Sequence, residues 1–300
     1  MINDETRPLR VGLVLPARGS LATGPAVAEA AEAAEATGMT TVWATDHIVF
    51  PANLGSSYPY TANSTPNWDH QASWLEAIVA LTWAAARTTR VRLGTAVLVL
   101  PIRSVVHTAK QVASLDHLCG GRVLLGVGAG WLREEFDYLG MDFPSRGKRL
   151  SEGMRLLRAC WDSDPITFSG PTTEIADAIM QPKPAQGSRV PLLVGGHSRS
   201  ALRRTAELAD GWVASQLGPD EIRRGCAELA ELAAGIGRPD MPEVFARLPV
   251  GTKVDGEVLD TYRAAGVDEL LVDLHTTARD MGEYLDRLHA LAAVRDRADA

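Results

Sequence analysis

The sequence predicts an α/β protein in which eight parallel strands close into a (β/α)8 (TIM) barrel with an inserted hairpin or arm. Short runs rich in β-branched residues alternate with longer runs rich in alanine and leucine along all 300 residues. Repeated strand-then-helix units imply parallel strands joined by right-handed crossovers, and eight units fit this length as one domain over 1–300. The alternative, an open doubly wound sheet, usually has about five or six strands.

Each predicted element has its own signal. Buried-strand patterns such as Arg10–Leu15 are centred near residues 11, 42, 95, 125, 192, 213, 247 and 272. Helical patterns follow them over 26–36, 72–87, 104–118, 150–161, 199–209, 221–234, 257–265 and 280–293. Gly38 and Gly120 stop two of these helices, and Ser104 is a candidate N-cap. At helical spacing, Trp83 and Trp161 are expected to be core residues.

Two stretches exceed a minimal barrel. Residues 50–70, rich in proline and aromatic residues, follow the second strand and are expected to form a long loop on the catalytic face. Residues 163–189 place Gly170-Pro171 between two short strand-like runs, which predicts the inserted hairpin. We expect these two stretches to shape the substrate pocket.

Composition and charge exclude several classes of function. Lys and Arg number 30 against 37 Asp and Glu, and the net charge of −7 disfavours nucleic-acid binding. No apolar run reaches the roughly 18 residues of a membrane span. The acidic segment Met1–Glu5 lacks the pattern of a secretory signal, and three separated cysteines argue against disulfides, so a cytoplasmic location is expected. No cluster has convincing metal-ligand spacing, and no metal is expected.

The end of the second predicted strand carries the adjacent pair Asp46-His47. In barrels of this type, catalytic groups lie where the strands end, and imidazole exchanges protons near neutral pH. The pair is therefore a candidate for hydrogen bonding and proton transfer. A turn aspartate beside a packed histidine explains the same spacing.

Glycines follow the fourth and fifth predicted strands. The run from Gly126 to Trp131 lets the backbone approach a flat or anionic ligand, but Trp131 breaks the dinucleotide spacing GxGxxG. Gly195-Gly196-His197-Ser198 runs directly into a helix, where free N–H groups and the helix dipole favour phosphate. Tight turns and a serine cap remain the alternative explanation at both places.

An ordered set of motifs resembles one known family. The motifs are Trp43-Ala44-Thr45-Asp46-His47, Arg92-Leu93-Gly94-Thr95-Ala96-Val97, Lys110-Gln111, Gly120-Gly121-Arg122, Gly126-Val127-Gly128-Ala129-Gly130-Trp131, Gly195-Gly196 and Ala209-Asp210-Gly211-Trp212. The sequence resembles the bacterial luciferase-like oxidoreductases over about residues 10 to 290. It is most similar to the actinobacterial branch that uses the deazaflavin coenzyme F420.

This resemblance implies a barrel that binds a deazaflavin or flavin at its C-terminal mouth. It implies a non-proline cis peptide at Ala96-Val97, behind the cofactor ring, and ring contacts from Asp46 and His47. The residues that match the phosphate loop of the family are Gly195, Gly196, His197 and Ser198. Those that match a second stretch along the cofactor tail are Gly128, Ala129 and Gly130.

One position departs from the family pattern. Sugar-phosphate dehydrogenases of this family carry an acidic glutamate directly after the glycine stretch, where this chain has Trp131. The resemblance therefore disfavours a sugar-phosphate substrate. We expect Trp131, together with Trp68, to line the substrate pocket instead.

The leading hypothesis is an F420-dependent oxidoreductase that transfers a hydride between C5 of the deazaflavin and a small organic substrate. Reduction of an electron-poor C=C or C=N bond is favoured, with His47 as the proton carrier and Asp46 orienting the cofactor. One alternative is a luciferase-like monooxygenase that uses reduced FMN, and another is a flavin-binding protein without turnover. The resemblance also implies a homodimer formed through the helices after the second and third strands.

Overall fold

The computed structural model describes residues 8–61, 63–66 and 68–298, so the segment Met1–Glu5 lies outside the described residues. The strands are β1 (Arg10–Val14), β2 (Thr41–Ala44), β3 (Arg92–Thr95), β4 (Leu98–Val99), β5 (Val123–Gly128), β6 (Ile166–Ser169), β7 (Glu174–Ala178), β8 (Leu192–Gly195), β9 (Gly211–Ser215), β10 (Glu243–Arg247) and β11 (Glu269–Val272). The helices are α1 (Gly24–Ala36), α2 (Ala77–Ala85), α3 (Val105–Cys119), α4 (Arg133–Tyr138), α5 (Arg146–Asp162), α6 (Arg199–Leu208), α7 (Pro219–Gly235), α8 (Gly256–Ala264) and α9 (Met281–Ala298).

Eight of the strands form a closed parallel barrel. Their order around the barrel is β1, β2, β3, β5, β8, β9, β10 and β11, and β11 pairs with β1 to close it. The two-residue strand β4 pairs with the end of β5, above the point where β3 pairs with the start of β5. The predicted (β/α)8 barrel is therefore confirmed.

Side chains inside the barrel form a small core beneath its mouth. Trp43 fills much of this space: it packs edge-on against Phe245, and its indole N–H donates to Glu269 Oε1 at 3.0 Å. A Cβ at Gly12 would lie 2.5 Å from Nε1 of Trp43, so that strand accepts only glycine beside the indole. A second, larger core packs the outer faces of the strands against the helices.

Three differences from the predicted elements concern the helices. Helix α2 begins at Ala77 rather than at residue 72, because Trp74 pairs with Arg18 in an isolated bridge and packs inward. The expectation that Trp83 is a core residue is wrong: its side chain lies on α2 and is 52% exposed, whereas Trp161 is fully buried. Helix α4, which was not predicted, follows the glycine stretch after β5.

The predicted inserted hairpin is present. Strands β6 and β7 pair antiparallel within the stretch 163–189. Glu152 on α5 accepts hydrogen bonds from the backbone N–H of Thr172 at 2.8 Å and from its hydroxyl at 2.7 Å. The hairpin turn is therefore fixed against a helix of the barrel.

Across the described ranges, no helix combines the length and the apolar character that a membrane crossing requires.

Candidate active site

A cavity of about 690 Å³ opens at the carboxyl ends of the barrel strands. It is lined by residues that follow β1, β2, β3, β5, β8, β9 and β10. Every residue predicted from the sequence to be catalytic, to bind the cofactor or to line the substrate pocket lies in the cavity wall, namely Asp46, His47, Trp68, Ala96, Val97, Gly128, Ala129, Gly130, Trp131, Gly195, Gly196, His197 and Ser198. The fold thus gathers five separate segments of predicted site residues around one space.

His47 is held by a glutamate that sequence reasoning did not single out. Glu135, on α4, is 1% exposed, and its Oε2 lies 2.9 Å from Nδ1 of His47. Its Oε1 accepts hydrogen bonds from the backbone N–H groups of Ile48 at 2.6 Å and Val49 at 3.2 Å. Because Nδ1 is engaged, Nε2 is the ring nitrogen of His47 that remains for exchange with a ligand.

Aromatic rings surround His47. The centroid of its ring lies 4.5 Å from Phe50, 5.3 Å from Trp74, 5.7 Å from Trp131 and 6.1 Å from Trp68. Flat rings favour a flat ligand and exclude water from the imidazole. Trp74 was missed in the sequence, where it was assigned to a helix.

The carboxylate of Asp46 already has protein partners on both oxygens. Oδ2 accepts from the backbone N–H of Val99 at 2.8 Å, and Oδ1 accepts from Arg103 at 2.6 Å. Burial raises the pKa of Asp46, and the Arg103 charge opposes that rise. Asp46 thereby fixes the segment that follows Val97 to the end of β2.

Val97 sits between glycines of two neighbouring strands. The Ala96–Val97 peptide bond is cis in this structure. A Cβ at Gly128 would lie 2.6 Å from Cγ2 of Val97, and one at Gly195 would lie 2.9 Å from it. These two glycines are thus required by the close packing of Val97, in addition to any ligand. We call Val97, Gly128 and Gly195 the glycine cradle.

The start of α6 forms the opposite wall of the cavity. The hydroxyl of Ser198 caps the helix by accepting from the N–H of Ala201 at 3.2 Å. Two arginines line the cavity beside it: Arg146 donates to the carbonyl of Gly130 at 3.2 Å, and Arg204 donates to that of Gly147 at 2.9 Å. Together with the helix dipole, they make this wall attractive to an anion.

His197, beside Ser198, is a neutral hydrogen-bonding group. The backbone N–H of Ser215 donates to its Nε2 at 3.2 Å, so the proton resides on Nδ1. Burial lowers the pKa of His197. Among the described residues, no group of three or more His, Cys, Asp or Glu could hold a metal ion.

Comparison with known families places the chain. Residues 9–299 match the luciferase-like monooxygenase family, and the chain belongs to it. An uncharacterized protein of Mycobacterium tuberculosis is 37% identical over 242 residues, which covers 81% of this chain and 82% of that protein. An F420-dependent glucose-6-phosphate dehydrogenase of Kineococcus radiotolerans is 30% identical over 217 residues, covering 71% of this chain and 58% of that enzyme. The expectations of this family and of an oxidoreductase enzyme are confirmed.

Two solved structures share the fold. An F420-dependent secondary alcohol dehydrogenase in complex with an F420-acetone adduct has a TM-score of 0.76 at 18% identity, covering 95% of this chain and 98% of that one. The oxygenating constituent of 3,6-diketocamphane monooxygenase from Pseudomonas putida, in complex with FMN, has a TM-score of 0.74 at 13% identity, covering 96% and 98%. At these identities the likeness concerns the barrel alone.

Proposed function

We propose that this protein is an F420-dependent oxidoreductase that transfers a hydride between the deazaflavin and a small organic substrate. Reduction of an electron-poor C=C or C=N bond is the favoured direction. Membership of the luciferase-like family and the similarity to an F420-dependent dehydrogenase support the choice of F420. The substrate of that relative is a sugar phosphate, which the replacement of the acidic residue by Trp131 disfavours here.

The residues present fit a long, anionic cofactor with a flat ring. The start of α6, Arg146 and Arg204 offer donors for a phosphate, and the run Gly128–Gly130 offers backbone without side chains along a tail. The bound coenzyme would supply the hydride chemistry. The protein supplies position, an aromatic wall and a proton.

The observation that carries the proposal is the His47–Glu135 pair in the cavity wall. When a hydride is added to a C=C or C=N bond, the product must also gain a proton. His47 is suited to deliver it, because Glu135 holds Nδ1 at 2.9 Å and leaves Nε2 for exchange. Asp46, with both oxygens engaged, is assigned to positioning Val99 and Arg103 rather than to proton transfer.

The proposal is tested by turnover under anaerobic conditions. Purified protein, reduced F420 and a panel of electron-poor alkenes and imines are mixed, and the appearance of oxidised F420 is followed by absorbance. Substrate-dependent oxidation is expected without oxygen. Turnover that requires reduced FMN and oxygen would instead establish the monooxygenase, and cofactor binding without any turnover would favour the non-catalytic alternative.

We also propose a homodimer formed through α2 and α3. Four apolar side chains on these helices are exposed, namely Val79 at 63%, Trp83 at 52%, Val106 at 42% and Leu118 at 78%. Val79 and Trp83 lie one helical turn apart on α2, and exposed apolar side chains on helices that pack together are typical of an interface. Light scattering at micromolar concentration should give twice the monomer mass, and Trp83→Ser should shift the equilibrium toward monomer; a monomeric wild type would refute the dimer.

We propose a cytoplasmic location because the cysteines are free. Cys119, Cys160 and Cys226 are all free thiols in the structure, which suits a reducing compartment. Fractionation of the native host, with the protein found only in secreted or membrane fractions, would contradict this assignment.

A further inference from the structure

Two arginines meet one buried carboxylate where three neighbouring strands end. Asp273 follows β11, Arg18 follows β1, and Arg247 is the last residue of β10. Oδ2 of Asp273 accepts from Arg18 at 2.9 Å and from Arg247 at 3.0 Å, while Oδ1 accepts from the hydroxyl of Thr276 at 2.8 Å. We call these three charged residues the Arg18–Asp273–Arg247 cluster.

The cluster has one positive charge in excess. A guanidinium remains charged at pH 7, so two arginines face one carboxylate. His275, whose Nδ1 lies 3.0 Å from Oδ1 of Asp273, adds no charge because burial lowers its pKa to about 4. Burial opposes the ionisation of Asp273, but the charge that His275 acquires below about pH 4 and the charges of the two arginines hold the pKa of Asp273 well below its ordinary value.

Both arginines of the cluster present part of their surface to the cavity. Within the part of the chain that the structure describes, Nε of Arg18 and Nε of Arg247 are buried without a hydrogen-bond partner. Both arginines line the cavity, and their side chains are only 6% and 11% exposed. Because these Nε atoms are closed off from the cavity, a ligand would meet the part of each guanidinium that lines the cavity.

Two tyrosines add neutral donors to the same part of the cavity lining. Gln216 donates to the hydroxyl of Tyr58 at 3.0 Å, which leaves the phenolic proton of Tyr58 free to be donated. Burial raises the pKa of Tyr60 to about 12, so its hydroxyl stays protonated. Both rings line the cavity and stand near the arginines.

This group of donors is separate from the wall assigned to the cofactor phosphate. In the order of the eight barrel strands, β1 lies directly across from β8, and α6 follows β8. Arg18 and Arg247 therefore flank one side of the mouth, and Arg146 and Arg204 flank the other. One cavity has a cationic group at each side.

We propose that the Arg18–Asp273–Arg247 cluster is a substrate subsite that binds the carboxylate of a small, flat organic monoanion. The single excess charge suits a monoanion better than a doubly charged phosphate, and planar guanidinium donors match a carboxylate. Trp74, whose ring lies 5.4 Å from the Arg18 guanidinium, offers a flat surface beside the subsite. The proposal rests on the proposed function only in placing the substrate in this cavity.

The test uses two carboxylates and their neutral isosteres. Benzoate with benzamide, and cinnamate with cinnamamide, are titrated into the purified protein at pH 7 by calorimetry, with and without F420. In at least one pair the carboxylate is expected to bind ~10-fold or more tightly than the amide, because a charge-assisted bidentate pair replaces a neutral contact. Equal binding, or no binding, in both pairs would overturn the proposal.

Variants separate recognition from a purely structural ion pair. Arg247→Gln should abolish the preference for the carboxylate, Arg247→Lys should retain part of it, and the control Arg279→Gln, at a side chain 84% exposed, should leave it unchanged. If Arg247→Gln lowers only the melting temperature, the cluster is a structural brace and the proposal fails. If Arg247→Gln does not fold, a reduced but measurable carboxylate preference in Arg247→Lys supports the subsite, and an unchanged preference overturns it.

The F420 titration distinguishes this proposal from the proposed function. A carboxylate preference in a protein that does not bind F420 would leave the subsite standing and refute the F420 assignment. F420 binding without any carboxylate preference would support the F420 assignment and refute the subsite.

Discussion

Asp46 at the end of β2 and Asp273 at the end of β11 are both buried carboxylates that bind arginine, yet their pKa values move in opposite directions. Asp46 has one arginine, Arg103, which is shared with Glu76 at 3.0 Å. Burial therefore prevails, and the pKa of Asp46 is raised. Asp273 lies between two arginines, which outweigh burial and lower its pKa.

The difference shows that the ratio of cations to carboxylates decides what each side of the mouth can bind. Beside Asp46, one arginine faces two carboxylates, so no positive charge is in excess, even though Nε of Arg103 is also buried without a partner. Beside Asp273, two arginines face one carboxylate and leave one positive charge in excess at the cavity. Equal burial thus produces a closed positioning contact on one side and a candidate anion subsite on the other.

The largest predicted effect is on the free energy of unfolding of Asp273→Asn. Removing this charge leaves two buried arginines unpaired, and breaking a buried ion pair costs about 3–5 kcal/mol. Asp46→Asn should cost about 1–3 kcal/mol, because asparagine can still accept from Val99 and Arg103 keeps its ion pair with Glu76. Urea denaturation followed by circular dichroism measures both, and a larger loss at Asp46 would break the comparison.

The next effect is on catalysis beside Asp46. His47→Ala should lower turnover by ~10²-fold or more and leave F420 affinity within a few-fold, because general acid catalysis is typically worth 10²–10⁴. Glu135→Gln, which keeps the shape but loses the charge, should lower turnover less and shift the pH profile. Both are measured by steady-state kinetics on a substrate from the anaerobic panel. Normal turnover by His47→Ala would assign the proton to Tyr58, Tyr60 or solvent.

A smaller effect tests the glycine cradle. A Cβ at Gly195 would lie 2.9 Å from Val97, so Gly195→Ala should displace Val97 and weaken cofactor binding by ~10-fold, or about 1.4 kcal/mol. Gly235→Ala is the matched control, since nothing lies within 4 Å of a Cβ there. Fluorescence titration with F420 measures both, and an unchanged affinity in folded Gly195→Ala would remove the cradle from the site.

The smallest predicted effect is on how the cost of each substitution, in free energy of unfolding, changes with pH; the two costs should change in opposite directions. The folded pKa of Asp273 is lowered, so its stabilisation is present above its ordinary value of 3.8 and fades as the pH falls below it. The folded pKa of Asp46 is raised, so the wild type gains stability as the pH falls from that raised pKa toward 3.8. The loss of unfolding free energy caused by Asp273→Asn should therefore become smaller below pH 3.8. The loss caused by Asp46→Asn should become larger as the pH falls toward 3.8.

Urea midpoints at several pH values measure these slopes. The unsubstituted chain serves as the reference at each pH, so that all other titrating groups cancel. Slopes of the same sign for the two variants would contradict the assignment of opposite pKa shifts.

The barrel and the contiguous motifs could be predicted from the sequence because their signals are local. Asp46-His47 and the run from Gly195 to Ser198 each follow a strand directly, and all of them line the cavity. Strand patterns repeat eight times, so an error at one element does not change the fold. The error at Trp83 arose because an amphipathic pattern cannot distinguish the core from an exposed apolar face on a helix.

The long-range partners could not be found in this way. Glu135 meets His47 across 88 residues, and Asp273 meets Arg18 across 255. The local sequence shows where each acidic residue lies, but not which distant residue it meets. Glu135 comes shortly after Trp131 in the sequence, and this proximity to the glycine stretch was the one local signal that it could reach the site. Closure of the barrel, which joins β1 to β11, is what makes the second contact possible.

The measurement that tests the central claim most directly is a parallel titration of the purified protein with F420 and with FMN, followed by fluorescence under identical conditions. F420 is expected to bind at least ~10-fold more tightly than FMN, and Gly195→Ala is expected to weaken F420 binding while Gly235→Ala does not. Tight binding of FMN with negligible binding of F420 would refute the F420 assignment and establish a flavin protein in its place.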